Sequence, residues 1–351
     1  MPKPKLTPGT LYLLRDEDFR TREHGPYIKI GIVKDDRSTE KRIKEHQTGN
    51  PRKIINIEDF ESPMVENLET RLHHWFAEHW VHGEWFAMDS RFIEETLRPK
   101  IEAFITSQNN SKQFFEQQEA IKNRETNGES RPATAQESAV HLKCVDAYTR
   151  FQVAKAKKDI AKNKLLNLIG EYDGIRGIVN LQERKGTLRF NKAEFEHSHP
   201  IIFDQFVTLK ISQPKGSFKL ENKKPLSKTH KVLHAEKQGL SKLKFKPDQF
   251  KRGPGDPTEV LKRAHLAYIQ TLGEASESEF EYESLAAKLA TLIGDCEAIE
   301  GLATWKRVAE ETKTFDEEAF KNAYPKLYED FLKLGNNSIT PIVLMHRPYP
   351  L

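Results

Sequence analysis

At 351 residues and 40.6 kDa the chain is too long for one small domain. Its 37% apolar and 31% charged residues make it leaner and more charged than an average globular protein. Two cysteines, Cys144 and Cys296, exclude a disulfide framework and a Cys-rich zinc site.

The opening MPKPKLTPGTLYLL lacks a signal-peptide apolar core, and no run approaches the ~20 apolar residues of a membrane span. A soluble, cytoplasmic protein with no membrane partner is expected. The net charge of +4 conceals an uneven distribution. Residues 1–108 carry 17 basic and 19 acidic groups, and residues 109–140 carry 4 and 5. Residues 141–212 carry 13 and 8, residues 213–256 carry 12 and 4, and the remainder carries 10 and 16. A basic centre thus lies between acidic ends.

In chain order, Thr10–Leu14 and Tyr27–Val33 read as two strands, joined by the polar stretch 15–26 as a long antiparallel hairpin. Residues 39–47 (TEKRIKEHQ) predict a short helix capped by Ser38 or Thr39 and stopped at Gly49-Asn50-Pro51. Ile54–Phe60 predicts a third strand. Met64–Trp80 predicts a helix with Leu68, Leu72, Trp75, Phe76 and His79 on or near one face, and a further helix covers roughly 90–106. The polar segment 109–140 reads as a linker. Residues 213–256, with four prolines among lysines, read as a second, extended connection.

An internal repeat occupies 141–212 and 257–345. Leu168-Ile169-Gly170 aligns with Leu292-Ile293-Gly294 at an offset of 124 residues. Phe190, Phe195, Pro200, Phe203 and Phe206 align with Phe315, Phe320, Pro325, Tyr328 and Phe331 at an offset of 125. Each copy predicts a helix ending at a Gly, an extended segment, and an amphipathic helix such as Phe315–Leu334. The matches fall on core-type residues, which indicates a duplicated fold and not a duplicated chemistry. The expected fold class is α/β (α+β). It has a small three-stranded antiparallel sheet flanked by helices, followed by two related small α/β modules joined by linkers.

Strand side chains two apart share a face. Tyr27, Lys29 and Gly31 therefore point together, and the neighbouring strand can bring Tyr12 beside them. With Arg42 and Glu69 on the following helices, the set offers a phenol, an ammonium, a guanidinium and a carboxylate. Phosphodiester hydrolysis needs a proton acceptor, cations for the charged transition state and an oxygen ligand for Mg²⁺. The same residues also suit sheet packing and a solvated surface.

The order and spacing of TLYLL, IKIGIV, EKRIKEH and VENLETRLHHWFAEHWVHGEWF resemble the GIY-YIG nuclease superfamily. The closer resemblance is to the phage- and mobile-element-associated branch with lysine at the second-tyrosine position, and it covers about residues 8–95. It implies an endonuclease that cuts DNA with Mg²⁺ or Mn²⁺. Tyr12 would act as general base or position the water, Arg42 would stabilise phosphorane-like charge, and Glu69 would bind the metal. Lys29 occupies the second-tyrosine position and His46 the histidine four residues after the arginine, while Tyr27 and His73 are supporting candidates, His73 as a hydrogen-bond partner of Glu69. The first motif lacks its Gly-Ile pair, and Lys29 cannot do a phenol's work. The alternative is an inactive nucleic-acid-binding or interaction protein on the same fold.

For nucleic-acid binding, Arg150, Lys155, Lys158 and Lys162 stud a predicted helix, and Lys242, Lys244, Lys246, Lys251 and Arg252 follow in the basic spacer. Lysines release counterions on binding phosphates, and interleaved Phe245 and Phe250 can stack on unpaired bases. Either single- or double-stranded DNA is compatible. The repeats faintly resemble the C-terminal tail of phage-type (YqaJ-like) recombination exonucleases. The acidic second copy is expected to dock on a protein partner or to fold back on the basic centre.

Overall fold

The computed structural model describes residues 4–34, 37–48, 50–223, 228–240, 245–246, 249–250 and 252–345. The fold is α+β. Strand β1 (Gly9–Glu17) pairs antiparallel with both β2 (His24–Lys34) and β3 (Lys53–Ser62). Leu11 to Leu14 are all fully buried, because helices cover both faces of this central strand, so an unbroken apolar run replaces alternation. Leu11, Leu13, Ile28 and Ile30 face the core beneath α2 (Val65–Trp75), whereas Tyr12, Leu14, Val33 and Ile54 pack with Ile43 of α1 (Thr39–Gln47). Ser38 caps α1, its hydroxyl accepting from the Lys41 N–H at 3.4 Å.

Two short strands, β4 (Trp80–His82) and β5 (Trp85–Ala87), enlarge the expected three-stranded sheet to five, in the order β3-β1-β2-β5-β4. Gly83, at φ 54°, makes the turn between them. Next, α3 (Ser90–Phe92) runs through a π-helical turn at Ile93–Leu97 into α4 (Arg98–Ile121). This corrects the linker expected from residue 109. Phe104, Gln108, Ser111 and Phe115 form a buried stripe at helical spacing, which keeps the polar sequence helical.

The remainder comprises β6 (Ser130–Arg131), α5 (Ala135–Asn167), β7 (Gly174–Ile175), β8 (Val179–Arg184), β9 (Leu188–Phe190), α6 (Lys192–Ser198), α7 (Pro200–Gln205) and β10 (Val207–Ile211). After them come β11 (Lys219–Leu220), α8 (Lys228–Gly239), α9 (Glu259–Ile293), β12 (Ala298–Ile299), β13 (Ala303–Thr304) and β14 (Glu311–Phe315). The chain closes with α10 (Glu317–Ala323), α11 (Pro325–Asp330), β15 (Leu332–Leu334) and β16 (Ser338–Val343).

The two repeat copies are not separate modules. Strand β9 of the first pairs with β15 of the second, and β14 of the second pairs with β10 of the first. The offset of 125 maps each of these pairings onto the other, so the copies are related by a pseudo-twofold exchange. Phe195 and Phe203 share one core with Phe315 and Phe320. The exchange extends further. His141 Nε2 lies 2.8 Å from the Glu221 carbonyl and His265 Nε2, its repeat equivalent, 2.7 Å from that of Leu344. Gly294 caps α9 and Gly170 follows the Leu168 cap of α5, with positive φ of 61° and 64°.

Two further expectations are corrected. The helix expected over Phe315–Leu334 is broken into α10 and α11 and flanked by strands, because Pro325 lacks the N–H that a continuous helix needs. The connection 213–256 is not wholly extended, since α8 lies within it and packs along α5 through the Lys237–Asp159 and Lys164–Glu236 ion pairs. Among the described residues, no helix is long and apolar enough to cross a membrane.

The N-terminal unit sits on α9. The buried Arg71 guanidinium packs against the rings of Phe104 and Phe280, 5.4 and 5.2 Å from their centroids, where the two rings meet edge to face, and its Nε donates to Asn67 at 3.0 Å. His74 Nδ1 is 2.7 Å from Ser276 Oγ. Burial lowers the His74 pKa to about 4, so this contact is made by a neutral imidazole.

Candidate active site

Tyr12 stands opposite Gly31 in the β1–β2 register. The Tyr12 ring occupies the space above Gly31, where a Cβ would fall 2.4 Å from the phenol oxygen. Strand pairing thus brings Tyr12 and Lys29 to one face, as the alternation predicts. Helix α1 lies over that face and carries Arg42 and His46 one turn apart. The Tyr12 hydroxyl is 3.5 Å from His46 Nε2. Burial raises the Tyr12 pKa, against the pull of the hydrogen-bonded Arg42 guanidinium. Burial, with Lys29 and Arg42 nearby, lowers that of His46. Arg42 also pairs with Glu45 on its own helix.

Lys29 is buried and ion-paired with Glu84, which the turn between β4 and β5 delivers. The pairing of β2 with β5 spans only Tyr27–Lys29, so the later half of β2 is open on that side. There the Ile30 N–H donates to the Glu84 carbonyl at 3.0 Å, and the Ile30 carbonyl accepts from His73 Nε2 at 3.3 Å. His73 anchors α2 against this edge, and Glu69 lies one helical turn before it. Burial pushes the Glu69 carboxyl up to about 7, the charge of Glu84 adds to the shift, and Lys29 opposes it.

The expected set therefore divides. Tyr12, Lys29, Arg42 and His46 share the α1 side of the sheet, and the charges of Tyr12, Lys29, Glu69 and Glu84 act on one another. Tyr27 shares the face of Lys29 but stands four residues from Gly31, about 13 Å along the strand, and is exposed. It is not brought to Tyr12. For His73, the sequence suggested a bond to Glu69, but its Nε2 goes to a strand carbonyl, and its ring packs against Trp80 and Phe86. For Gly31, expected on that face, and Glu84, part of the resemblance motif, the structure adds a role: Gly31 makes room for the Tyr12 ring, and Glu84 pairs with Lys29. A lone Gly inside a strand signals close approach of another group, and Glu84 lies in the Gly83-Glu84-Trp85-Phe86 run.

Among the described residues no three His, Cys, Asp or Glu side chains converge as a metal-binding group. Mg²⁺ keeps several waters and needs only one or two protein carboxylates. A half-buried carboxyl that holds its proton near neutrality is a place where a divalent cation can replace that proton. Glu69 therefore fits a single Mg²⁺ or Mn²⁺ as its principal protein ligand.

The basic centre is less available than its sequence suggests. Arg150 pairs with Glu281, and Lys157 with Glu274, so the acidic second copy folds back on the basic helix. Lys155 lies over the Phe151 ring at 5.8 Å, and Arg252 is 3.9 Å from Glu171. Lys158 and Lys162 are half-buried on α5, and Lys246 is exposed. Lys242, Lys244 and Lys251 lie outside the described residues.

No curated protein matches the chain, and no solved structure does. Residues 9–101, which hold every member of the cluster around Tyr12, match the T5orf172 domain family.

Proposed function

We propose that the N-terminal unit is a divalent-metal-dependent endonuclease of GIY-YIG type that hydrolyses DNA phosphodiester bonds. The observation that carries this reading is the gathering of Tyr12, Lys29, Arg42 and His46 on the α1 side of the sheet, with Glu69 and Glu84 near enough for their charges to act on Tyr12. The match to the T5orf172 domain, which is phage-associated, supports a phage or defence setting.

The shifted groups define a division of labour. With its pKa raised, Tyr12 is a neutral phenol at pH 7, and His46, with its pKa lowered, is a neutral acceptor. Tyr12 can take a proton from the attacking water while passing its own to His46 Nε2. The 3.5 Å separation suits a resting site that tightens when substrate binds. Arg42 faces the charge that grows on the phosphoryl oxygens. Lys29 neutralises Glu84, which leaves Glu69 as the carboxylate free for a metal. A divalent ion held there would supply Lewis-acid stabilisation of the phosphate.

Cleavage of plasmid and single-stranded DNA with Mg²⁺ or Mn²⁺ tests this reading. The wild type should cut, whereas Glu69→Ala and Arg42→Ala should lose about 10²-fold or more. Equal behaviour of the three proteins would favour a nucleic-acid-binding or interaction protein on the same fold.

A further inference from the structure

The repeat offset of 124 maps Arg150 onto Glu274 and Lys157 onto Glu281. These four residues also make two ion pairs between the long helices. Arg150 meets Glu281, and Lys157 meets Glu274 with 3.4 Å between charged atoms. The helices run antiparallel, since rising numbers on α5 meet falling numbers on α9; Tyr282 of α9 fills the seam beside these pairs, stacked on Phe151 and edge-on to Tyr148. Each ion pair is thus the pseudo-twofold image of the other with its signs reversed.

That reversal discriminates between partners. If α5 met α5 of a second copy of the chain in the same geometry, Arg150 would face Lys157. If α9 met α9, Glu274 would face Glu281. Only the unlike combination places each charge opposite its complement. All four side chains are about half exposed, so the pairs add little stability of their own. Like charges in the alternative pairings still oppose them, and a small penalty at each position suffices to select among otherwise similar helices.

We propose that the charge reversal between the repeats selects the pairing partner of α5. Its surface fits an antiparallel acidic helix of the α9 kind and rejects a second basic α5. The α9 of the same chain is the favoured occupant because the tether raises its effective concentration.

Three full-length variants test this. Arg150→Glu with Lys157→Glu makes all four positions acidic, and Glu274→Lys with Glu281→Arg makes them basic. The third carries all four changes and restores complementarity with the signs exchanged. At low ionic strength the acidic and basic variants should melt a few degrees below wild type, and the exchanged variant should match wild type. The gap should close in ~1 M salt. The proposal is overturned if the acidic variant melts like wild type, if the exchanged variant falls as far as the acidic one, or if the gap persists unchanged in high salt.

Discussion

The Tyr12 hydroxyl and Gly31 occupy one another's space: a methyl group on Gly31 would sit 2.4 Å from the phenol oxygen. Gly31→Ala should therefore displace the Tyr12 ring from His46 and Arg42. Overpacking of this kind costs about 1–3 kcal/mol. A lowered melting midpoint and a loss of DNA cleavage at least as great as that of Tyr12→Phe are the expected results, read by thermal denaturation and a plasmid assay.

Glu69 makes stability depend on pH in an unusual direction. Its carboxyl is pushed up to about 7, above the ordinary value of 4.5. The folded state then holds a proton that the unfolded state has lost between those limits, so stability falls as pH rises from about 4.5 to 7. The full effect is about 3 kcal/mol at most. Without metal, Glu69→Gln should be more stable than wild type at pH 8 and nearly equal at pH 4. Urea titrations at the two pH values measure this difference.

Metal and proton compete for the same oxygen atoms. Wild-type cleavage should rise through about pH 7, with Mg²⁺ binding strengthening over the same range. Glu84→Gln removes a charge that raises the Glu69 pKa, so it should move the acidic limb of the pH–rate profile to lower pH. Its cost is an unpaired Lys29, which is buried and should lower stability by about 1–3 kcal/mol.

Arg71 joins the N-terminal unit to α9 through Phe104 and Phe280. Arg71→Ala leaves a cavity beside the two rings and removes the buried charge that faces Glu279. A loss of about 3 kcal/mol is expected, with the N-terminal unit melting separately from the helical remainder in calorimetry.

Sequence patterns disclosed the features that are local. Strand β1, helix α1 with its Ser38 cap, and the equivalent glycines 170 and 294 each follow from residues within a turn or two of one another. The convergence of Tyr12 and Lys29 was also readable, because alternation along β2 fixes a shared face. Other features depend on distant partners. The Lys29–Glu84 pair joins residues 55 apart, and nothing near Lys29 indicates its partner. The continuation of α4 past residue 109 rests on contacts with α9, far along the chain. The interlocking of the repeats was hidden for the same reason. Similar sequences announce similar structures but not which copy supplies a neighbouring strand.

That interlocking has a consequence for how the chain acquires its structure. The pairing of Phe190 with Leu332 spans 142 residues, and that of Val207 with Phe315 spans 108. Contacts so remote in sequence carry a large loop-closure cost and slow the search for the native state. During synthesis the N-terminal sheet can close early, whereas the first repeat must wait, its phenylalanines uncovered, until the second has emerged. A chain halted before residue 300 would therefore carry the whole candidate active site together with an unsealed aromatic surface.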